Sequence, residues 1–287
     1  MSSYNVKLFE YYGSRQIRKY RRVIEKEDIK PIEQYITNHV NGEYVFQSQK
    51  TVDYNKILRA EKRSCFPNVG KTEEKERTPD MVERSILSSI NRTKNKIYEI
   101  ARANKWDYFI TLTFNPQKVN SKNYEYVKNL VSEYFHAERK TKAPNLKYLI
   151  VPELHEDGKK YHFHGVLSEI GSMPMVDSGH ITSDEKPIYN IGSFPYGFTT
   201  ATKVQDTRKV SAYITKYITK DLCVATENRR RYLNSNNCER PVVHEYTMTA
   251  QEYDEAIGDL QECITHMKTV AIPQGYNKVD YIEVSDI

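Results

Sequence analysis

Long apolar runs are missing from this chain of 287 residues. No stretch approaches the roughly 20 apolar residues that a membrane span needs. The opening "MSSYNVKLFEYYGSRQIRKYRR" has no uninterrupted apolar segment of the signal-peptide kind. No membrane partner and a cytoplasmic location are therefore expected. Cysteine is scarce and scattered. Cys65, Cys223, Cys238 and Cys263 include no Cys-x-x-Cys pair, which excludes a zinc ribbon and suggests no disulfide framework. Reduced thiols are expected. A phosphate-binding loop is missing too. The "GKT" at 70–72 would need an earlier glycine where Cys65 stands, and no clear strand precedes it. A nucleotide-hydrolysing motor is excluded on that ground, and any strand separation would have to come from elsewhere. Beyond one doubled Tyr-Ile-Thr-Lys unit there is no internal repeat and no low-complexity tail.

What is present is a polar chain, with a mean hydropathy of −0.74, that is long enough to bury a core. Its net charge of +5 is modest, but the basic residues cluster in "SRQIRKYRR", "NRTKNK" and "ENRRRY". Clustering of this kind suits a polyanionic partner, although a charge run is also what a solvated face looks like. The Pro- and Gly-bearing stretch "FPNVGKTEEKERTP" marks a boundary near residue 75. Residues 1–75 then read as an N-terminal accessory segment, 76–240 as the main domain, and 241–287 as a C-terminal helical extension.

Within the main domain, Thr78 and Pro79 start a helix in which Val82, Ile86, Ile90, Ile97 and Ala101 recur near a helical period to about Asn104. "WDYFITLTF" is aromatic and β-branched, hence a strand. "SKNYEYVKNLVSEYFHAERK" places Val127, Leu130, Val131 and Tyr134 on one helical face. "KYLIVPELH" and "KYHFHGVL" read as a hairpin across residues 156–159. A Ser-, Gly- and Pro-rich loop over 168–196 leads to the strand "GFTTATKV", and Asp206 caps a helix containing "SAYITKYITKDL". A last helix is expected over Ala250 to Met267. The fold class predicted is α+β, with a central, mainly antiparallel sheet and packed helices.

Two groups of residues carry chemistry. On a strand, His162 and His164 project from one face about 6 to 7 Å apart, so two imidazoles can share one metal ion. A His-x-His pair also arises by chance on a solvated sheet face, but here the neighbouring hairpin strand ends in Glu153-Leu154-His155. Glu153 is a candidate third ligand, with His155 the weaker one. Such a nitrogen, nitrogen, oxygen set suits Mg or Mn better than a closed zinc site. In the later helix, Tyr213 and Tyr217 lie about 40° apart with Lys216 and Lys220 on their flank. Val210, Ile214 and Ile218 form the adjacent apolar stripe that would dock on the sheet. Tyrosines commonly pack at half-buried positions. A phenol with a pKa near 10 becomes a useful nucleophile only beside a metal or a cation, and both aids are foreseen here.

Taken in order, "FITLTF" (109–114), "HFHGVL" (162–167) and "YITKYITK" (213–220) resemble the three motifs of HUH endonucleases, the rolling-circle replication initiators of plasmids and small phages. The resemblance spans roughly residues 106–240. The two-tyrosine form is similar to microvirus initiators, and "NRTKNKIYEIARANKWDYFITLTF" resembles replication proteins of phages and plasmids of Gram-positive bacteria. By this resemblance 76–240 is the catalytic domain, and His162 and His164 match the metal pair. Tyr213 and Tyr217 match the nucleophiles, and Lys216 and Lys220 the motif lysines. No signature of the family assigns Glu153. The implied activity is site-specific nicking and strand transfer on single-stranded or hairpin origin DNA. It would run through a 5′-phosphotyrosine with a divalent Mg or Mn ion, in a bacterial cytoplasm with host helicase and polymerase. A transposase or mobilisation relaxase would use the same chemistry. A non-catalytic RNA-binding module on a similar sheet would have no use for the histidine pair.

Overall fold

Two antiparallel sheets organise the chain, one made inside the middle of the sequence and the other from its two ends. The computed structural model describes residues 2–26, 37–40, 43–46, 78–272 and 277–285. The "GKT" at 70–72 and the boundary near residue 75 lie outside the described residues.

The end-built sheet starts with β1 (Ser2–Tyr11) and β2 (Ser14–Lys26). A separate two-stranded hairpin, β3 (Thr37–Val40) and β4 (Glu43–Phe46), follows. Then comes α1 (Pro79–Ala103), capped by the Thr78 side chain with proline at its start, as the sequence predicts.

The larger sheet comprises β5 (Tyr108–Phe114), β6 (Lys147–Leu154), β7 (Tyr161–Ser168), β8 (Met175–Ile181), β9 (Pro187–Ile191), β10 (Gly197–Lys203) and β11 (Leu233–Asn234). Its order is β11-β6-β7-β5-β10-β9-β8, and every strand pairing among the described residues is antiparallel. The chain is thus an α+β protein. The hairpin β8–β9 replaces the loop expected over 168–196. Its strands are mostly exposed and polar, so they lack the apolar alternation that announces a strand.

Helix α2 (Tyr124–Thr141) covers one face of the large sheet with buried Val127, Val131, Tyr134 and Phe135. Phe135 stacks on Tyr148 of β6 with ring centroids 4.7 Å apart. The layer on the opposite face holds α1, α3 (Thr207–Ile214) and α4 (Lys220–Ala225), with α1 packed along the other two. Ile97 and Ile100 of α1, Ile214 and Ile218 are fully buried in it. The glycine after His164 serves close packing. A Cβ on Gly165 would lie 2.3 Å from Ile150 Cδ1 and 2.8 Å from the Leu149 carbonyl oxygen, so only glycine lets β6 and β7 approach as they do.

The end-built sheet is completed by β12 (Val242–Tyr246), β13 (Ile264–Ile272) and β14 (Asn277–Ser285), in the order β12-β1-β2-β14-β13. Residues 241–287 are therefore mainly strands, with one nine-residue helix, α5 (Ala250–Gly258). The expected C-terminal helical extension is corrected accordingly. The Ala250 helix stops at Gly258, and β13 begins six residues later. The N-terminal strands are not a free-standing accessory either, since β2 pairs directly with β14. One face of this sheet is apolar, with Val6, Ile17, Ile282 and Val284 clustered against Tyr253 of α5. The sheet is tied to α1 through a buried ion pair, Arg102 to Glu283 at 3.0 Å, with Tyr98 also donating to Glu283 at 3.1 Å.

Candidate active site

The alternation of "FITLTF" along β5 turns Ile110, Leu112 and Phe114 into the core and leaves Phe109, Thr111 and Thr113 on the opposite face. Strand β7 runs beside it with Thr111 opposite His164 and Leu112 opposite Phe163. Both histidines therefore share the face that carries the threonines. Each ring is held by one hydroxyl: Thr111 Oγ1 lies 3.0 Å from His164 Nδ1, and Thr113 Oγ1 lies 3.3 Å from His162 Nδ1. The Nε2 atoms are thereby left to face the third strand. Here β6 contributes Glu153, which is opposite His162 in register but reaches diagonally to His164 Nε2 at 2.6 Å. Burial lowers the imidazole pKa of both histidines. For His162, His155 adds to this, while for His164 the hydrogen bond to Glu153 works against it. His155 is more exposed, stacking on His162 with centroids 5.1 Å apart.

Helix α3 does not continue through the doubled Tyr-Ile-Thr-Lys unit. It ends at Ile214, a single 3-10 turn spans Thr215–Tyr217, and Ile218 leaves helical geometry at ψ 88°. Thr219 then caps α4, its side chain accepting from the Leu222 backbone N–H. Four β-branched residues at 214, 215, 218 and 219 lower the helical preference of this segment, and the threonine offers a cap instead. The two tyrosines consequently differ. Tyr217 is 5 % exposed and lies flat on His164, with centroids 3.8 Å apart and planes 4° from parallel. Tyr213 is 46 % exposed and meets Tyr217 edge-on at 5.8 Å and Phe109 edge-on at 5.4 Å. The Lys216 ammonium stands 3.7 Å from the centre of the Tyr213 ring and 5.0 Å from that of Tyr217. Lys216 lowers the phenol pKa of Tyr213, and a hydrogen bond from Tyr217 lowers it further. Burial, and then the bond to Tyr213, push the Tyr217 phenol far up. One phenol is an accessible nucleophile beside a cation, and the other is a buried donor to it.

Lys220 lies apart from this group. It opens α4 and pairs with Glu83 of α1 at 2.8 Å, both side chains being largely exposed. The structure thus brings together Glu153, His162, His164, Tyr213, Lys216 and Tyr217. It adds Thr111, Thr113 and Phe109, which had no assigned role in the sequence. The period-two spacing of Thr111 and Thr113 was the signal that could have found them.

Among the described residues, no group of three His, Cys, Asp or Glu side chains is spaced to hold a metal ion as it stands. Glu153 and His164 are bonded to each other instead of facing a shared point. The donor set itself fits a divalent ion. Two neutral imidazoles are oriented through Nδ1, as ligating histidines usually are, and a partly exposed carboxylate adjoins them. His162, His164 and Glu153 are the residues that could hold it.

Residues 107–222, less than half of the chain, are similar to a family of replication-associated proteins, the one described under the name ORF2. That span starts at β5 and ends in α4, so it contains every residue of the constellation just described. No curated protein and no solved structure matches the chain.

Proposed function

We propose that this protein initiates rolling-circle replication by nicking one DNA strand at an origin through a tyrosine of the HUH type. The observation that carries the reading is the stack of Tyr217 on His164, with Tyr213 and Lys216 beside it. It joins a nucleophile pair to a histidine pair across three separate segments of the chain. The similarity to a replication-associated family supports replication over mobilisation or transposition.

Tyr213 is the first nucleophile in this reading, because it is the exposed phenol and the one whose charged form Lys216 favours. Its oxygen bonds to phosphorus as the bond from phosphorus to the 3′-oxygen breaks. The phenolic proton is lost and the departing oxygen gains one, leaving a 5′-phosphotyrosine and a free 3′-hydroxyl. Tyr217 donates to the Tyr213 oxygen and holds it over the histidine face. It is also the second phenol, placed to receive the strand in a later transfer. A divalent Mg or Mn ion on His162, His164 and Glu153 would supply charge neutralisation at the phosphate. The phosphodiester energy is kept in the tyrosyl ester. The 3′-hydroxyl can prime a host polymerase, with a host helicase opening the duplex.

The test uses labelled single-stranded and hairpin oligonucleotides tiled across the replicon that encodes the chain, incubated with Mn or Mg and resolved on denaturing gels. A covalent adduct is expected from the wild type. Tyr213→Phe should lose the first-turnover adduct, whereas Tyr217→Phe should still form one. Mass spectrometry of the digested adduct names the residue, and an adduct on neither tyrosine would overturn the reading.

A further inference from the structure

We infer that the cleft between the end-built sheet and helices α1 and α3 binds single-stranded nucleic acid through paired phosphate contacts and a tyrosine platform. The cleft has a volume of about 800 Å³. One wall is α3, with Arg208 and Lys209 one turn before Tyr213, and the other is the sheet. Apart from three residues of α3, everything lining the cleft lies outside residues 107–222, so the family similarity does not account for it.

The sheet wall is built by register. Lys268 of β13 stands opposite Tyr281 of β14, which stands opposite Arg18 of β2. Neighbouring strands are spaced about 4.8 Å apart, so cation, aromatic ring and cation form one short row across the sheet. The other face of the same strands is the apolar one that α5 covers. Among the described residues that line the cleft, Glu283 is the only carboxylate, and it is already bonded by Arg102, Gln16 and Tyr98. The remaining charge in the cleft is positive. Arg208 bridges the two walls by donating to Thr265 at 2.8 Å. Lys209 and Lys268 are exposed and make no ion pair among the described residues. Alternating cations and an aromatic ring fit a strand whose phosphates lie on the lysines while a base stacks on Tyr281. A cleft walled on two sides suits a single strand better than a duplex. That the strand leads on to Tyr213 rests on the proposed nicking function, but the binding itself does not.

The experiment measures the affinity of the full chain for a fluorescent single-stranded oligonucleotide over a range of salt concentrations, without divalent metal. Lys209→Ala with Lys268→Ala should weaken binding about tenfold and flatten the log–log salt dependence by about 1.4, the release expected for two lost phosphate contacts. Tyr281→Ala should weaken binding about tenfold with the salt slope unchanged, and Tyr281→Phe should restore it. Lys186→Ala, which removes a charge on the distant β8–β9 connection, should change neither. An unchanged affinity and slope in the double variant would overturn the inference. So would a duplex of the same length bound equally well and equally weakened. If the cleft variants lose binding but no protein forms an adduct, the nicking function falls and this inference stands. If the wild type forms adducts while the cleft variants bind normally, the reverse holds.

Discussion

The two sheets bury polar groups in opposite ways. The seven-stranded sheet is covered on both faces, and the face under α1, α3 and α4 nevertheless carries Thr111, Thr113, His162 and His164. A buried polar group without a partner is costly, so each of these is bonded to another: threonine to histidine, and histidine to glutamate. The five-stranded sheet keeps one face apolar and places its polar side chains on the other. There a single network around Glu283, with Arg102, Gln16, Tyr98 and Ser14, fastens it to α1. The first arrangement fixes the direction of two imidazoles. The second fixes the position of a whole sheet, and with it the cleft beside Tyr213.

That contrast can be broken most severely at Arg102. Arg102→Met leaves Glu283 buried without its cation and should cost about 3 to 5 kcal/mol. The loss should fall on the end-built sheet: hydrogen exchange in β1, β2 and β14 should accelerate before that in β5 and β7. Equal loss of protection in both sheets would mean that they unfold as one unit. The next effect in size is chemical. Replacing His162 and His164 together with alanine should lower adduct formation by roughly a hundredfold or more while the melting temperature holds, since the ion supplies several kcal/mol at the phosphate. Normal cleavage by the double variant would remove the histidines from the site.

A finer cut leaves both rings in place. Thr111→Val and Thr113→Val keep the volume but remove the hydroxyls on Nδ1, and should weaken Mn binding by about 10- to 100-fold in a direct titration. An unchanged titration would reduce the threonines to packing. The smallest effect is a shift in pH dependence. Lys216 lowers the Tyr213 pKa, so Lys216→Ala should move the alkaline rise in adduct formation to higher pH. Lys220→Ala, which only releases Glu83, should leave that rise where it was. Identical shifts from the two lysines would return Lys220 to the site.

Much of the larger sheet was legible in advance. β5, β6, β7 and β10 announce themselves by β-branched and aromatic composition, and the Asp157-Gly158 turn joins β6 to β7. The strand period of two put His162 and His164 on one face, and the hairpin brought Glu153 alongside. The end-built sheet was not legible. Arg18 and Tyr281 are neighbours in it, yet more than 250 residues separate them, and alternation within a strand names its faces without naming its partner. The exposed β8–β9 hairpin was missed because its apolar residues do not alternate.

By itself the sequence determined which side chains could do chemistry and, wherever a local period governs, which of them share a face. The separation of Tyr213 from Tyr217 was decided only in the tertiary structure. Identical tetrapeptides carry both residues, and an unbroken helix would have set them side by side. Thr219 instead caps a new helix, Ile218 turns into the core, and the flat face of His164 takes Tyr217 beneath it. Lys216 and Lys220, equivalent in the repeat, part company for the same reason, one over a phenol ring and the other on Glu83. Local propensity is the same for both copies of the unit, but the burial and the partners available to each copy are not, and these come from strands and helices far away in the chain.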